Sequence, residues 1–252
     1  MNRLDYLKQH HCKLLFVLIA LPFITMATLQ AQGTRLLRQP DISTTHITFT
    51  YGSDIWVSNI NGGEAKRITS TQAVESNPYF SPDGNWIAFS SNRTGYQAVY
   101  VVPAEGGEAK QITWHPSGSL VRGWSNDGTR ILYASNRDTA PSPYNRLWTT
   151  GITENIPSLV HNQWGFDGAF APDGEHLIID RVSRWDSEWR GYRGGQNTPL
   201  IILNTTTSEE ELLPNESTTD IQPLWLGDVV YFISDRDLVA NIWSYDTKTK
   251  EL

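Results

Sequence analysis

Four stretches of this chain can be written one beneath another with little adjustment, and that internal repetition restricts the fold more than any other feature. The first is PYFSPDGNWIAFSSNR (78–93), followed by RGWSNDGTRILYASNR (122–137), DGAFAPDGEHLIIDR (167–181) and the more divergent PLWLGDVVYFISDR (223–236). Each runs from an aromatic or apolar pair through a turn containing Asp-Gly or Gly-Asp into an apolar strand. Each then closes on a polar turn that ends in arginine. The segment HITFTYGSD (46–54) reads as the second half of an earlier copy. A second element follows every strand: DIWVSNI, AVYVVPA, RLWTTGI, PLIILNT and NIWSYDT. An aromatic residue recurs at one point of it, as Trp56, Tyr100, Trp148 and Trp243. Polar turns such as NGGEAKRIT (61–69) and EGGEAKQIT (105–113) come next.

The apolar strands begin at Ile47, Ile87, Ile131, Leu177 and Val229. That spacing of roughly 40 to 52 residues is the length of a propeller blade of four short strands. Runs such as Trp86-Ile87-Ala88-Phe89 and Ile131-Leu132-Tyr133-Ala134 are apolar on both faces, as strands held between neighbouring blades must be. The Pro-Asp-Gly turns combine the preset φ of proline with a permissive glycine. Beyond an apolar N-terminal run, no long stretch repeats every 3.6 residues, so very little helix is expected. A β-sandwich is the competing all-β architecture, but it does not predict a repeat of this length. The predicted fold is an all-β propeller with about five blades over residues 32–252. A ring must close to hide its strand edges, so the expectation is a six-bladed ring in the full protein, with further chain following Leu252.

The first thirty or so residues differ from the rest. Arg3, Lys8 and Lys13 precede a sixteen-residue apolar run from Leu14 to Leu29, and small or polar residues from Gln30 to Gly33 follow. A basic, apolar, then cleavable order describes a secretory leader over residues 1–31, cut near Ala31. The run is shorter than the roughly 20 residues that span a bilayer, which disfavours an uncleaved anchor. Membrane contact is expected only through that leader if it is retained. The sole cysteine, Cys12, precedes the apolar run, so disulfides, Cys-ligated zinc and thiol catalysis are not expected in a mature chain. With 20 Lys+Arg against 27 Asp+Glu, the net charge is -7, and no basic stripe is available for a phosphate backbone. Nucleic acid is not an expected partner. Export and a periplasmic location are.

The SPDG turn at 81–84 resembles propellers of the TolB and tricorn type. The segment WDSEWRGYRGGQNTPLIIL (185–203) narrows the resemblance, because W-[KR]-x-Y-R-G-G within a fourth blade is similar to the first propeller of tricorn proteases. LLRQPDIS (36–43), ITWHP (112–116) and VRGW (121–124) also resemble that family. The resemblance implies a large serine-type peptidase, homo-oligomeric at full length. Its catalytic serine and histidine lie in later domains, so no catalytic residue is carried onto this chain. It also implies peptides and the remaining domains of the same polypeptide as partners, with no cofactor. A free-standing TolB-like periplasmic binding scaffold is the alternative. A hydrolase of the prolyl-oligopeptidase type, with its chemistry elsewhere, is a third reading.

The sequence contains no G-x-S-x-G elbow, H-E-x-x-H motif or Walker loop. The candidate site residues are Trp185, Trp189, Arg190, Tyr192 and Arg193, in an insertion that lengthens the fourth unit. Such insertions often carry function, here peptide binding or domain docking. The competing role is an inter-blade clamp with arginine stacked on tryptophan. His46, His115, His161 and His176 sit in different repeats and are assigned structural or surface roles. Asp83, Asp127 and Asp173 are turn-capping residues rather than calcium ligands, since each turn offers too few oxygens. No metal site is expected. Asn92, Asn204 and Asn215 open N-x-[ST] triplets without further support, and the acidic run at 209–211 is read as a solvated turn.

Overall fold

The structure, a computed structural model, describes residues 36–141, 143–181, 193–194 and 197–252. The leader predicted at 1–31 lies outside them. The chain divides into two units, Met1–Leu36 and Leu37–Leu252, and all described strands belong to the second. They form five antiparallel sheets. Blade 1 holds β1 (Arg38–Ile42), β2 (His46–Tyr51), β3 (Asp54–Asn59) and β4 (Lys66–Arg67). Blade 2 holds β5 (Glu75–Phe80), β6 (Trp86–Ser91), β7 (Ala98–Pro103) and β8 (Lys110–Gln111). Blade 3 holds β9 (Leu120–Trp124), β10 (Arg130–Ser135), β11 (Arg146–Gly151) and β12 (Pro157–Leu159). Blade 4 holds β13 (Asp167–Phe170), β14 (His176–Asp180), β15 (Ile201–Asn204) and β16 (Glu210–Leu212). Blade 5 holds β17 (Asp220–Leu226), β18 (Val229–Ser234) and β19 (Asn241–Asp246). Among the described residues there is no helix.

The strands that open successive blades, β1, β5, β9, β13 and β17, lie side by side, so they are the innermost strands of a propeller. The core is divided into four clusters, one at each junction between consecutive blades. Strand β6 shows why both faces had to be apolar. Ile87 and Phe89 pack with Ile55, Val57 and Ile68 of blade 1, whereas Ala88 joins Val121, Ile131 and Trp148 of blade 3. Strand β7 splits likewise, with Ala98, Tyr100 and Val102 on one side and Val99 and Val101 on the other. A period of two in each strand thus feeds two cores.

Two features of blade 1 and the inner strands were not anticipated. Blade 1 is a complete four-stranded sheet, because residues 38–42, a family-like segment in the sequence, supply its inner strand β1. The inner strands are also bulged. Register shifts occur at Arg38/Asp41, Ser76/Tyr79 and Ile221/Leu224, where Gln39, Asn77 and Gln222 take positive φ. Each of the three precedes a proline: Pro40, Pro78 and Pro223. An inner strand faces the axis on one side, so a proline there removes no ladder donor that a neighbouring strand needs. Blade 3 also shifts register, between Leu132 and Tyr133, with Gly123 at positive φ level with Tyr79 of blade 2.

Candidate functional site

Each blade offers two ends to a ligand. On the turn face lie the hairpins joining first and second strands. Ser81 Oγ donates to Asp83 Oδ1 at 2.5 Å, and Asn85 N donates to the same oxygen at 3.1 Å. Ser125, Asp127 and Thr129 repeat that arrangement in blade 3. These hydrogen bonds, led by the serine hydroxyl, hold the Asp83 and Asp127 carboxyls below the usual carboxylate range. At Asp173, burial pushes upward but the His176 backbone and ring outweigh it. The carboxylates therefore act as turn caps, as expected from their spacing.

The opposite, loop face carries the connections between second and third strands and the crossings between blades. Here the arginine that ends the repeats of blades 2, 3 and 5 has a defined task. In blade 2 the Arg93 guanidinium lies 4.5 Å from the Tyr100 ring centroid and 5.4 Å from that of Phe89, and it forms an ion pair with Glu75. The Glu75 side chain is fully buried. Blade 5 repeats the unit. Arg236 lies over Phe232 and Trp243 and bonds the buried Asp220 carboxylate at 2.8 Å. Asp220 also accepts from Asn215 and Thr218. The charge is neutralised inside the protein, so arginine's planar cation can sit on the rings without a solvation penalty left unmet.

Blade 3 departs from that rule. Its register places Ser119 where Glu75 and Asp220 stand, Tyr133 where Phe89 and Phe232 stand, and Arg146 where Ala98 and Asn241 stand. Two guanidiniums, those of Arg137 and Arg146, lie 4.7 and 5.4 Å from the Trp148 ring centroid. Beside them the loop face exposes two aromatic pairs at matching places in blades 2 and 3. Tyr96 Oη donates to the Trp114 carbonyl at 3.0 Å, and the Tyr144 and Trp164 rings lie 5.3 Å apart. Both indoles are more than half exposed, Trp114 at 55% and Trp164 at 57%.

Nearer the axis, Arg122 of β9 donates Nε to the Phe166 carbonyl at 2.6 Å, stacks on the Phe166 ring and sits 3.8 Å from Asp167. Burial raises the Asp167 carboxyl above its ordinary value, with Arg122 opposing. Burial also raises Asp41, which accepts the Phe80 N–H at 2.7 Å. These side chains stitch inner strands of adjacent blades. Among the described residues, no group of three or more His, Cys, Asp or Glu could hold a metal ion.

Residues 34–252 match the family model described as the tricorn protease N-terminal β-propeller domain. The chain belongs to that family. Tricorn protease homolog 1 of Streptomyces coelicolor is 30% identical over 225 residues, covering 87% of this chain and 20% of the relative. The crystal structure of the tricorn protease superposes with a TM-score of 0.72 at 27% identity, over 86% of this chain and 22% of that one. TolB from Acinetobacter baumannii shares the fold alone, with a TM-score of 0.66 at 16% identity over 85% of this chain and 52% of that one. The tricorn-type chain described here spans about a fifth of the length of the curated relatives it matches.

Of the candidate residues in this tricorn-type propeller, Trp185, Trp189, Arg190 and Tyr192 lie outside the described residues. Arg193 is described. Its Nη1 donates to Asp235 Oδ2 at 2.9 Å and Nη2 to the Asp235 carbonyl at 2.8 Å, tying the blade 4 connection to the loop before β19. Asp235 directly precedes the clamp arginine of blade 5. The histidines make local contacts: His115 Nδ1 accepts from Ser117 N, and His161 Nδ1 from Gln163 N. The acidic run departs from expectation. Glu210 and Glu211 lie in strand β16, and Glu211 accepts from Tyr245 Oη and Lys250 Nζ of blade 5. A carboxylate at a blade junction has a neighbour that the local sequence does not show. Sequence reading also missed the arginine clamps, although their signal was present. The same arginine closes the repeats of blades 2, 3 and 5, and an aromatic recurs in the strand that follows each of them.

Proposed function

We propose that this chain is the propeller segment of an exported tricorn-like serine protease. In this reading it guides peptides across its loop face and docks on catalytic domains carried elsewhere in the same polypeptide. The observation that carries the reading is the family match over 34–252 in a chain a fifth as long as its relatives. Exposed Trp114 and Trp164, with their tyrosine partners and nearby arginines, support peptide contact at the loop face, since aromatic and arginine side chains supply most interface anchors.

The test is photo-cross-linking of a peptide carrying a benzoyl-phenylalanine to this chain, with the adducts mapped by mass spectrometry. Adducts confined to the loop-face connections support the reading, and adducts on the Asp-turn hairpins or scattered over both faces reject it. In parallel, the purified chain is expected to leave fluorogenic peptides intact. Turnover that survives repurification would place chemistry in the propeller and reject a purely guiding role. Mass analysis of protein recovered from the periplasm reports whether the leader is removed near Ala31.

A further inference from the structure

The four-stranded repeat makes one local rule visible: a buried carboxylate from the first strand neutralises the arginine that follows the second. Glu75 does so for Arg93, and Asp220 for Arg236. Blade 3 keeps the arginine and loses the acid. Three substitutions relative to blade 2 act in the same direction there. Ser119 removes a negative charge, Arg146 adds a positive one, and Tyr133 adds a hydroxyl where blade 2 has the ring of Phe89.

The consequences appear as donors without acceptors. Arg146 is 9% exposed, and its Nε has no hydrogen-bond partner among the described residues. Among the described residues Ser119 Oγ, in a residue 1% exposed, has none, and Tyr133 Oη, in a residue with no exposure, faces the Arg137 guanidinium and has no acceptor for its own proton. Arg146 spends its other nitrogens on the carbonyls of Arg137 and Asp138, at 3.2 and 3.0 Å, and on Asn162 Oδ1 at 3.5 Å. Asp138 is the acid nearest in sequence, but its side chain is 58% exposed and reaches Arg137 Nε only at 3.4 Å. Among the described residues neither guanidinium has the short buried ion pair seen for Arg93 and Arg236. Unmatched buried donors of this kind are costly, and an anion that accepts from them restores the pattern.

We propose that blade 3 is a carboxylate-binding site, in which Arg137, Arg146, Ser119 and Tyr133 receive from a ligand the group that Glu75 supplies within blade 2. The adjoining Tyr144–Trp164 pair offers an apolar platform for whatever bears the carboxylate. That the bearer is a peptide rests on the function proposed above; the carboxylate site itself does not.

The experiment reads tryptophan fluorescence and isothermal titration on the full chain. Acetate tests the site alone. A short apolar peptide with a free C-terminus, its C-terminal amide, and an amidated peptide with one internal glutamate separate the two sources of a carboxylate. Acetate and one of the two carboxylate-bearing peptides are expected to bind, with the uncharged amide weaker by about tenfold or more. Arg146→Gln is expected to weaken binding by a similar factor, about tenfold. Ser119→Glu, which installs the blade 2 carboxylate in cis, should raise the melting temperature and abolish binding together. Acetate binding without peptide binding keeps the site and removes the peptide reading. The proposal is overturned if neither acetate nor either acid peptide binds at millimolar concentration. It is equally overturned if Arg146→Gln binds like the parent chain, or if Ser119→Glu lowers stability and leaves binding intact.

Discussion

Blades 2 and 3 are built from nearly the same strands and differ mainly in how they manage one cation. In blade 2 the Arg93 guanidinium is enclosed by Phe89, Tyr100 and the buried Glu75. In blade 3, Arg137 shares Trp148 with a second arginine, and Ser119 stands at the place of the acid. Blade 2 is therefore closed electrostatically, and blade 3 is not. Repeats of one scaffold can diverge this way because each blade contacts its neighbours through apolar faces, which the polar ends do not disturb. The stabilising part of the repeat and the adaptable part occupy different ends of the same strands.

The sharpest break in this comparison comes from truncating each arginine. Arg93→Met strands the buried Glu75 carboxylate and is expected to cost about 3 to 5 kcal/mol in chemical denaturation. Arg137→Met removes one of two neighbouring cations and should cost only about 1 kcal/mol, from lost stacking and packing. Equal losses would show that the two clamps are energetically alike and that the missing acid is immaterial. The inner strands supply a second contrast. Gly123→Ala places a side chain at φ +151° and is expected to cost about 1 kcal/mol or more. Asn77→Gly, which removes the Cβ at the positive-φ position of the blade 2 bulge, should stay within about 1 kcal/mol of the parent. Both changes are read from denaturant midpoints.

The smallest effect belongs to a feature that the two blades share. Asp83→Asn and Asp127→Asn should lower the melting temperature slightly and to the same extent. Both carboxyls are held below their ordinary values in the fold. Their contribution is thus fully present above the unfolded carboxylate pKa, and it is lost as pH falls through the lower folded value. The difference between parent and variant should vanish in acid. A difference that persists there would assign the loss to turn geometry rather than charge.

How much of this was legible beforehand follows from the range of each interaction. Hairpin turns, apolar strands and the blade period depend on residues a few positions apart, and they read directly from segments such as 78–93 and 122–137. The turn role of Asp83 is equally local, since its partners Ser81 and Asn85 are two residues away. Glu211 was misread because its partners, Tyr245 and Lys250, lie 34 and 39 positions later in the next blade. The bulges had a signal in the Gln-Pro, Asn-Pro and Gln-Pro pairs at 39–40, 77–78 and 222–223. Their meaning emerged only when those pairs were found on strands facing the axis.

Repetition in the amino-acid order was sufficient to establish a propeller and its strand alternation, because short-range periodicity specifies which faces must be buried. It also placed an arginine at the end of the units that became blades 2, 3 and 5, and an aromatic in the strand that follows each. Whether that arginine is neutralised was decided by tertiary structure alone, through the register that sets Glu75, Ser119 and Asp220 opposite equivalent positions in their sheets. A charge and its counter-charge meet across strands at distances set by pairing, and nothing in the residues flanking Arg137 shows that its expected partner is a serine.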